Sequence, residues 1–277
     1  MPRFTTSDGL GLHYEDGGKG APVLCLAGLT RNSGDFRFLV PFLPDRRVIR
    51  LDYRGRGRSD HDPDFRNYNI GREGLDAVEL LDHLGLERVS LIGTSRGGLI
   101  AMLLAATHPD RLNGVVLNDI GPEVPPDGLA RIMDYVGRAP DFADYDDAAR
   151  GLQAANAAAF PGVTLARWRL QAEFLWSHRP EGGLGLRYDP RLRDALTGPA
   201  ATGAAPDLWQ MFDHLARLPL AVIRGANSDL LSADTLARMQ DRAPGMRAVT
   251  VPDRGHVPFL DEADSLAAIH WLLEAAR

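Results

Sequence analysis

The pentapeptide Gly93-Thr94-Ser95-Arg96-Gly97 is where this chain offers chemistry. It lies between a short β-branched run, Val89 to Ile92, and a long apolar run of good helix formers that ends near His108. That pattern reads strand, tight turn, helix, with Ser95 at the tip. Glycines at both ends of a GxSxG turn permit a strained backbone and close helix–strand contact, so the serine Oγ projects clear of the sheet. A hydroxyl placed this way is set for acyl chemistry, provided that an imidazole takes its proton and a carboxylate holds that imidazole.

The partners must therefore stand at strand ends. His256 follows the last apolar strand-like run in Pro252-Asp253-Arg254-Gly255-His256, a loop before the terminal helix. His83, His108, His214 and His270 fall within or at the ends of helices, and His13 in the first hairpin. Two aspartates compete to orient the imidazole. Asp229, in Arg224-Gly225-Ala226-Asn227-Ser228-Asp229, lies just past the seventh strand and is preferred; Asp119 lies just past the sixth. A tetrahedral oxyanion also needs two fixed donors, each worth about 2.7 to 4 kcal/mol in the transition state. The N–H of Arg96 is one by position, and Leu29, in the loop after the third strand, is expected to supply the other.

The elements that must position these groups alternate regularly at first. Phe4 to Thr6 and Leu10 to Tyr14 read as a hairpin around Ser7-Asp8-Gly9, and Pro22 to Ala27 as an interior strand apolar on both faces. The Gly-rich loop after that strand, Gly28 to Gly34, lies at a carboxyl end, where such sheets bind ligands. Val48 to Leu51 is a fourth strand, followed by Asp52-Tyr53-Arg54-Gly55-Arg56-Gly57-Arg58-Ser59-Asp60, read as glycine turns because no helix start follows in the manner of a phosphate loop. Asn69 to Leu84 has helical spacing, with Leu75, Val78, Leu81 and Leu84 on one face.

After a sixth strand at Val115 to Leu117 the alternation stops. Pro122 to about Pro206 shows helical pieces broken by proline and glycine, so an all-helical insertion is expected to cover the Ser95 turn. Within it Leu165, Trp168, Ala172, Leu175 and Trp176 recur at helical spacing. They read first as the insertion's own core, with Trp168 and Trp176 the candidates to line a pocket. Alternation resumes from Leu208, through strands at Leu220 to Ile223 and Ala248 to Val251, to a final helix near Asp261 to Ala276. The expected division is a core of 1–121 and 207–277 and a cap of 122–206.

Composition narrows the partners. With 277 residues, 44% hydrophobic and 25% charged, the chain can bury one large core, and a net charge of −6 disfavours nucleic acid or an anionic membrane as partner. The expected partner is a small molecule. A single cysteine, Cys25, in an apolar run excludes an internal disulfide framework and suits burial in a reducing compartment. The first residues carry no apolar signal core, and no apolar run is long enough to span a bilayer, so a cytoplasmic protein is expected.

Taken in order, the Gly28 loop, DYRGRGRSD, GTSRG, NDIGP, RGANSD and PDRGH resemble the α/β-hydrolase superfamily, in its capped serine esterase and lactonase-like branch, over nearly the whole chain. The resemblance implies an α/β fold: an eight-stranded, mostly parallel sheet, antiparallel at its second strand, with helices on both faces, a cap after strand 6 and no cofactor or metal. Ser95, Asp229 and His256 match the family's triad, although in carbon–carbon- or amide-cleaving members and many dehalogenases the acid follows the sixth strand, as Asp119 does. Two positions depart from the family. The loop begins Ala27-Gly28 where His-Gly is usual, and Arg96 follows the nucleophile where an apolar residue or glutamine is more usual. In the similar fluoroacetate dehalogenases an arginine after the nucleophile contacts a substrate carboxylate. Arg96, with Arg31, is thus a candidate to select an acidic acyl group, against the simpler expectation that Arg96 pairs with an internal carboxylate.

Cleavage of a carboxylic ester or lactone through an acyl-enzyme is the expected reaction, with Ser95 attacking and His256 as general base. A serine at the turn argues against epoxide hydrolysis and dehalogenation, which in this superfamily use an aspartate there. Amide or carbon–carbon hydrolysis is the near alternative, and a non-catalytic small-molecule receptor the alternative of another class.

Overall fold

In the computed structural model, residues 2–198 and 207–276 are described. The first half runs β1 (Arg3–Thr5), β2 (Gly11–Gly18), β3 (Ala21–Leu26), β4 (Arg46–Leu51), α1 (Ile70–His83), β5 (Val89–Thr94), α2 (Arg96–Thr107) and β6 (Leu112–Asn118). An insertion follows, with α3 (Pro126–Tyr135), α4 (Tyr145–Asn156), α5 (Leu165–Leu175), β7 (Trp176–His178), β8 (Leu184–Leu186) and α6 (Leu192–Thr197). The chain then completes α7 (Leu208–Leu215), β9 (Leu220–Gly225), α8 (Ala233–Arg242), β10 (Arg247–Val251) and α9 (Ala263–Ala275).

Eight strands form one sheet in the order β1-β2-β4-β3-β5-β6-β9-β10. Strand β2 runs antiparallel to both its neighbours and every other pairing is parallel, as expected. The interior strands are apolar on both faces because each face has its own core. Leu24, Leu26, Leu91, Val115, Leu117 and Val222 pack with Ala77, Ile100, Met102, Phe212 and Leu236 from α1, α2, α7 and α8. The alternate residues Val23, Cys25, Ile92, Val116, Ala221 and Ile223 point the other way, onto Phe36 and Leu39 and onto Ile269, Leu272 and Leu273 of α9. The period of two along a strand thus sorts one sequence into two layers.

Two expectations need correction. Leu75 of α1 is 43% exposed; Val78 and Leu81 are buried as expected, and Gly74 and Ala77 share the buried face with them. The insertion is not all helical, since β7 and β8 pair antiparallel, Trp176 opposite Leu186. Gly182 and Gly183, both at positive φ, lie between them, and this Gly-Gly pair between two short runs was the hairpin signal to read.

The insertion sits over the carboxyl ends of the parallel strands. Asn32, after β3, donates to Phe174 O at 2.8 Å, and Gly57, after β4, donates to Arg187 O at 2.7 Å. Asn227, after β9, donates to Ala159 O at 3.1 Å, and Arg167 pairs with Asp261, after β10, at 2.8 Å. Phe160 and Trp168 share a small core with Phe259. Contacts from four strand ends fix the insertion above the Ser95 turn; the expected end of the cap, 199–206, lies outside the described residues.

The arginine-rich loop after β4 is structural. Arg54 is fully buried and pairs with Asp8 at 3.0 Å, with Asp76 at 2.7 Å and with Asp62. Arg56 is buried as well and donates from Nε to Leu29 O at 3.1 Å, while Arg58 stays half exposed beside Glu15.

Candidate active site

Strand register decides which residues meet. The β5–β6 ladder ends at Thr94 opposite Asn118, and Ser95 N–H continues it by donating to Asn118 O at 3.0 Å. The β6–β9 ladder ends at Asn118 opposite Ile223, and Asp119 N–H donates to Ile223 O at 2.7 Å. Ser95 and Asp119 are therefore each the first residue beyond adjacent strands. Both leave the sheet at positive φ, 51° and 57° respectively, a strained geometry for residues with a Cβ.

The turn at Ser95 closes only because its flanks are bare. A Cβ on Gly93 would lie 2.5 Å from Gly97 O, and one on Gly97 would lie 2.0 Å from Leu26 O. Helix α2 begins at Arg96 directly beneath the hydroxyl, so the positive end of its dipole faces the site.

Ser95 Oγ stands 3.0 Å from His256 Nε2, and His256 Nδ1 stands 2.8 Å from Asp119 Oδ2. Asp119 has no exposed side-chain surface, yet its carboxylate is well supplied with donors: Gly225 N–H at 2.8 Å and Ser228 Oγ at 2.6 Å besides the imidazole. Ser228 can only donate there, because its oxygen already accepts from Leu230 N–H at 3.2 Å and Leu231 N–H at 3.1 Å. Those donors offset the cost of burying the charge. Asn118 braces the pair from behind, its amide donating to Thr94 Oγ1 at 3.2 Å and to Pro258 O at 3.1 Å.

The preference for Asp229 as the partner of His256 is thus corrected: the neighbouring carboxylate is that of Asp119. Asp229 lies four residues beyond the end of β9 and pairs with Arg131 of α3 at 2.8 Å, on the rim. Ser228 takes the inward place that an acid on this loop would need.

The loop after β3 abuts the nucleophile. A Cβ on Gly28 would lie 3.8 Å from Ser95 Cβ, and Gly97 N–H donates to Ala27 O at 3.1 Å. The side chain lost with the family's usual histidine has substitutes: Tyr53 OH donates to Ala27 O at 3.1 Å and Arg56 Nε holds Leu29 O. Burial pushes the Tyr53 phenol well above its ordinary range, so it remains a donor. Among the described residues neither the Leu29 nor the Arg96 N–H donates to a backbone carbonyl, and both stay available for an oxyanion.

The substrate-binding expectations fare unevenly. Arg96 does not reach into the site for a ligand; its Nε meets Glu73 at 2.5 Å and its NH2 meets Tyr68 O at 3.1 Å. Trp168 is buried among Ala149, Phe160 and Phe259, and Trp176 packs at a tilt against Phe142, so both belong to the insertion's core. Arg31 does stand at the site, held by Asp35 and by Gln171 of α5. Sequence reading missed Tyr135, at the end of α3, whose neighbours Ile132 and Val136 pack in the cluster that includes Leu29. Tyr135 keeps 48% of its surface, while desolvation raises its phenol and the charges of Arg31 and Asp229 act on it. The signal was weak, a lone aromatic on an amphipathic helix just after the sixth strand.

Among the described residues there is no cluster of potential metal ligands, and no helix is long and apolar enough to cross a membrane. The chain is 38% identical over 250 residues to a 3-hydroxybutyrate-oligomer hydrolase of Cupriavidus necator, covering 87% of this chain and 84% of that one. It is 29% identical over 246 residues to the 2-(acetamidomethylene)succinate hydrolase of Mesorhizobium japonicum, covering 88% and 84%. The crystal structure of an alpha/beta hydrolase from Novosphingobium aromaticivorans superposes with a TM-score of 0.91 at 43% identity, covering 99% of this chain and 97% of that one. The family model for the alpha/beta hydrolase fold matches residues 21–263, and the chain belongs to that family.

Proposed function

We propose that the protein is a serine hydrolase that cleaves a carboxylic ester of a small molecule through an acyl-enzyme on Ser95. The observation that carries this reading is the unbroken line from Asp119 through His256 to Ser95, at 2.8 and 3.0 Å, on a strained turn at a helix N-terminus. With the imidazole proton on Nδ1 and donated to Asp119, Nε2 is free to take the Ser95 proton as Oγ attacks the carbonyl carbon. The N–H groups of Leu29 and Arg96 receive the negative charge that develops on the carbonyl oxygen. His256 then protonates the departing alkoxide, and a water activated by the same nitrogen releases the acid and restores Ser95.

Residues 122–206 act as a cap, and the lone buried thiol of Cys25 fits a reducing, cytoplasmic setting. The relative that hydrolyses 3-hydroxybutyrate oligomers points to short hydroxy-acid esters as the substrate class. The test is release of 3-hydroxybutyrate from its dimer, together with labelling by a fluorophosphonate probe. Ser95→Ala is expected to abolish labelling and to lower kcat by about 10⁶-fold. A Ser95→Ala variant with full turnover would overturn the mechanism, and a labelled wild type that turns over no ester would favour an amide or carbon–carbon hydrolase.

A further inference from the structure

We propose that Arg31 binds a free carboxylate on the substrate, which makes the end of a short hydroxy-acid ester, rather than a neutral ester, the preferred ligand. This rests on the serine-hydrolase reading and deepens it. Arg31 is placed by the same loop that abuts the nucleophile: a Cβ on Gly28 would lie 3.2 Å from Arg31 Cγ and 3.8 Å from Ser95 Cβ. The stem of the arginine and the nucleophile thus flank one glycine.

The guanidinium is held in place before any ligand arrives. Nε meets both oxygens of Asp35, at 2.9 and 2.7 Å, and NH2 donates to Gln171 Oε1 at 2.9 Å. Gln171 is itself buried within the cap. Among the described residues NH1 has no hydrogen-bond partner, and the side chain keeps 25% of its surface. A planar fork fixed along one edge and free along the other loses little entropy when a carboxylate docks.

The floor of the site is built of paired charges. Beneath the loop, Arg56 NH1 lies 2.9 Å from Glu73 Oε1 and Arg96 Nε 2.5 Å from Glu73 Oε2, so two guanidiniums share one carboxylate. Arg56 NH2 is buried with no partner. With the Arg31–Asp35 pair and the Asp119 carboxylate behind His256, three guanidiniums and three carboxylates stand around the site. Arg96, the sequence candidate for carboxylate contact, is held by Glu73 and Tyr68 O, and the direct contact falls to Arg31.

The experiment compares two substrates of equal size, the 3-hydroxybutyrate dimer and the same dimer with its terminal carboxylate converted to a carboxamide. Rates are taken per fluorophosphonate-titrated Ser95. Wild type is expected to favour the free acid in kcat/KM by about 10- to 100-fold, the range of a hydrogen bond to a charged group. Arg31→Met is expected to lose that preference, and Arg31→Lys to recover part of it. A wild type that treats acid and carboxamide alike overturns the proposal, as does Arg31→Met with the acid preference intact. The wild-type comparison decides even where a variant yields no titratable serine. Each of these outcomes leaves the Ser95 mechanism standing, whereas activity that survives Ser95→Ala removes the mechanism itself.

Discussion

Asp119 Oδ2 lies 2.8 Å from His256 Nδ1, while Asp229 faces Arg131 across the rim. The two aspartates are therefore expected to separate sharply on substitution. Asp119→Asn removes the acceptor that fixes the imidazole tautomer, and a loss of about 10⁴-fold in kcat is the scale set by the same change in other triads. Asp229→Asn breaks a half-exposed ion pair of the kind worth at most about 1 kcal/mol, so kcat should fall less than about tenfold. Steady-state kinetics with p-nitrophenyl butyrate checks both. The reverse ranking would return the orienting role to Asp229.

That contrast shows what the sequence could and could not carry. Ser95 and His256 were legible because each is announced locally, by glycines that clear a turn and by a strand end before a loop. Which aspartate meets the imidazole is not local. It depends on the register that sets β6 beside β5, on a positive φ at Asp119 and on a serine at 228 that fills the inward place. The fate of Arg96 was hidden for a similar reason, since its partner Glu73 lies on α1, and only packing of α1 against α2 brings them together. Trp168 and Trp176 read as pocket candidates from residue type alone; large aromatics at helical spacing fill a small insertion's core, and here they do.

Acid should loosen the first hairpin from the body of the fold. Desolvation pushes the Asp8 carboxyl up, but hydrogen bonds from Arg54 and Thr6 outweigh it and hold the group at about 2. A depressed carboxylate contributes its stability in full above its unfolded value near 3.9, and the contribution drains away as pH falls toward 2. Asp76, on the same guanidinium, is moved the other way by burial and adds nothing to this acid loss. Urea midpoints should therefore decline between about pH 5 and pH 2, and Asp8→Asn should flatten part of that decline while lowering the midpoint at pH 7. A variant as acid-sensitive as the wild type would show that other carboxylates control the transition.

Gly97 is the position where the active site and the stability of the sheet meet. A Cβ there would lie 2.0 Å from Leu26 O and 2.9 Å from Leu26 Cβ, a clash with backbone that no rotamer relieves. Relief requires either α2 to lift off β3 or the loop from Ala27 to Leu29 to move away, and Gly97 N–H is the donor that pins Ala27 O. The first route lowers stability; the second withdraws the Leu29 N–H from the oxyanion it should serve. Gly97→Ala is therefore expected to lower the thermal midpoint and to slow fluorophosphonate labelling of the fraction that remains folded. Gly245→Ala is the matched control, since nothing lies within 4 Å of a Cβ at that position, and its free energy of unfolding should stay within about 0.5 kcal/mol of wild type, with the midpoint little changed. Equal labelling rates and equal midpoints for the two variants would mean that the turn tolerates a side chain, and the steric account of Ser95's placement would fall with it.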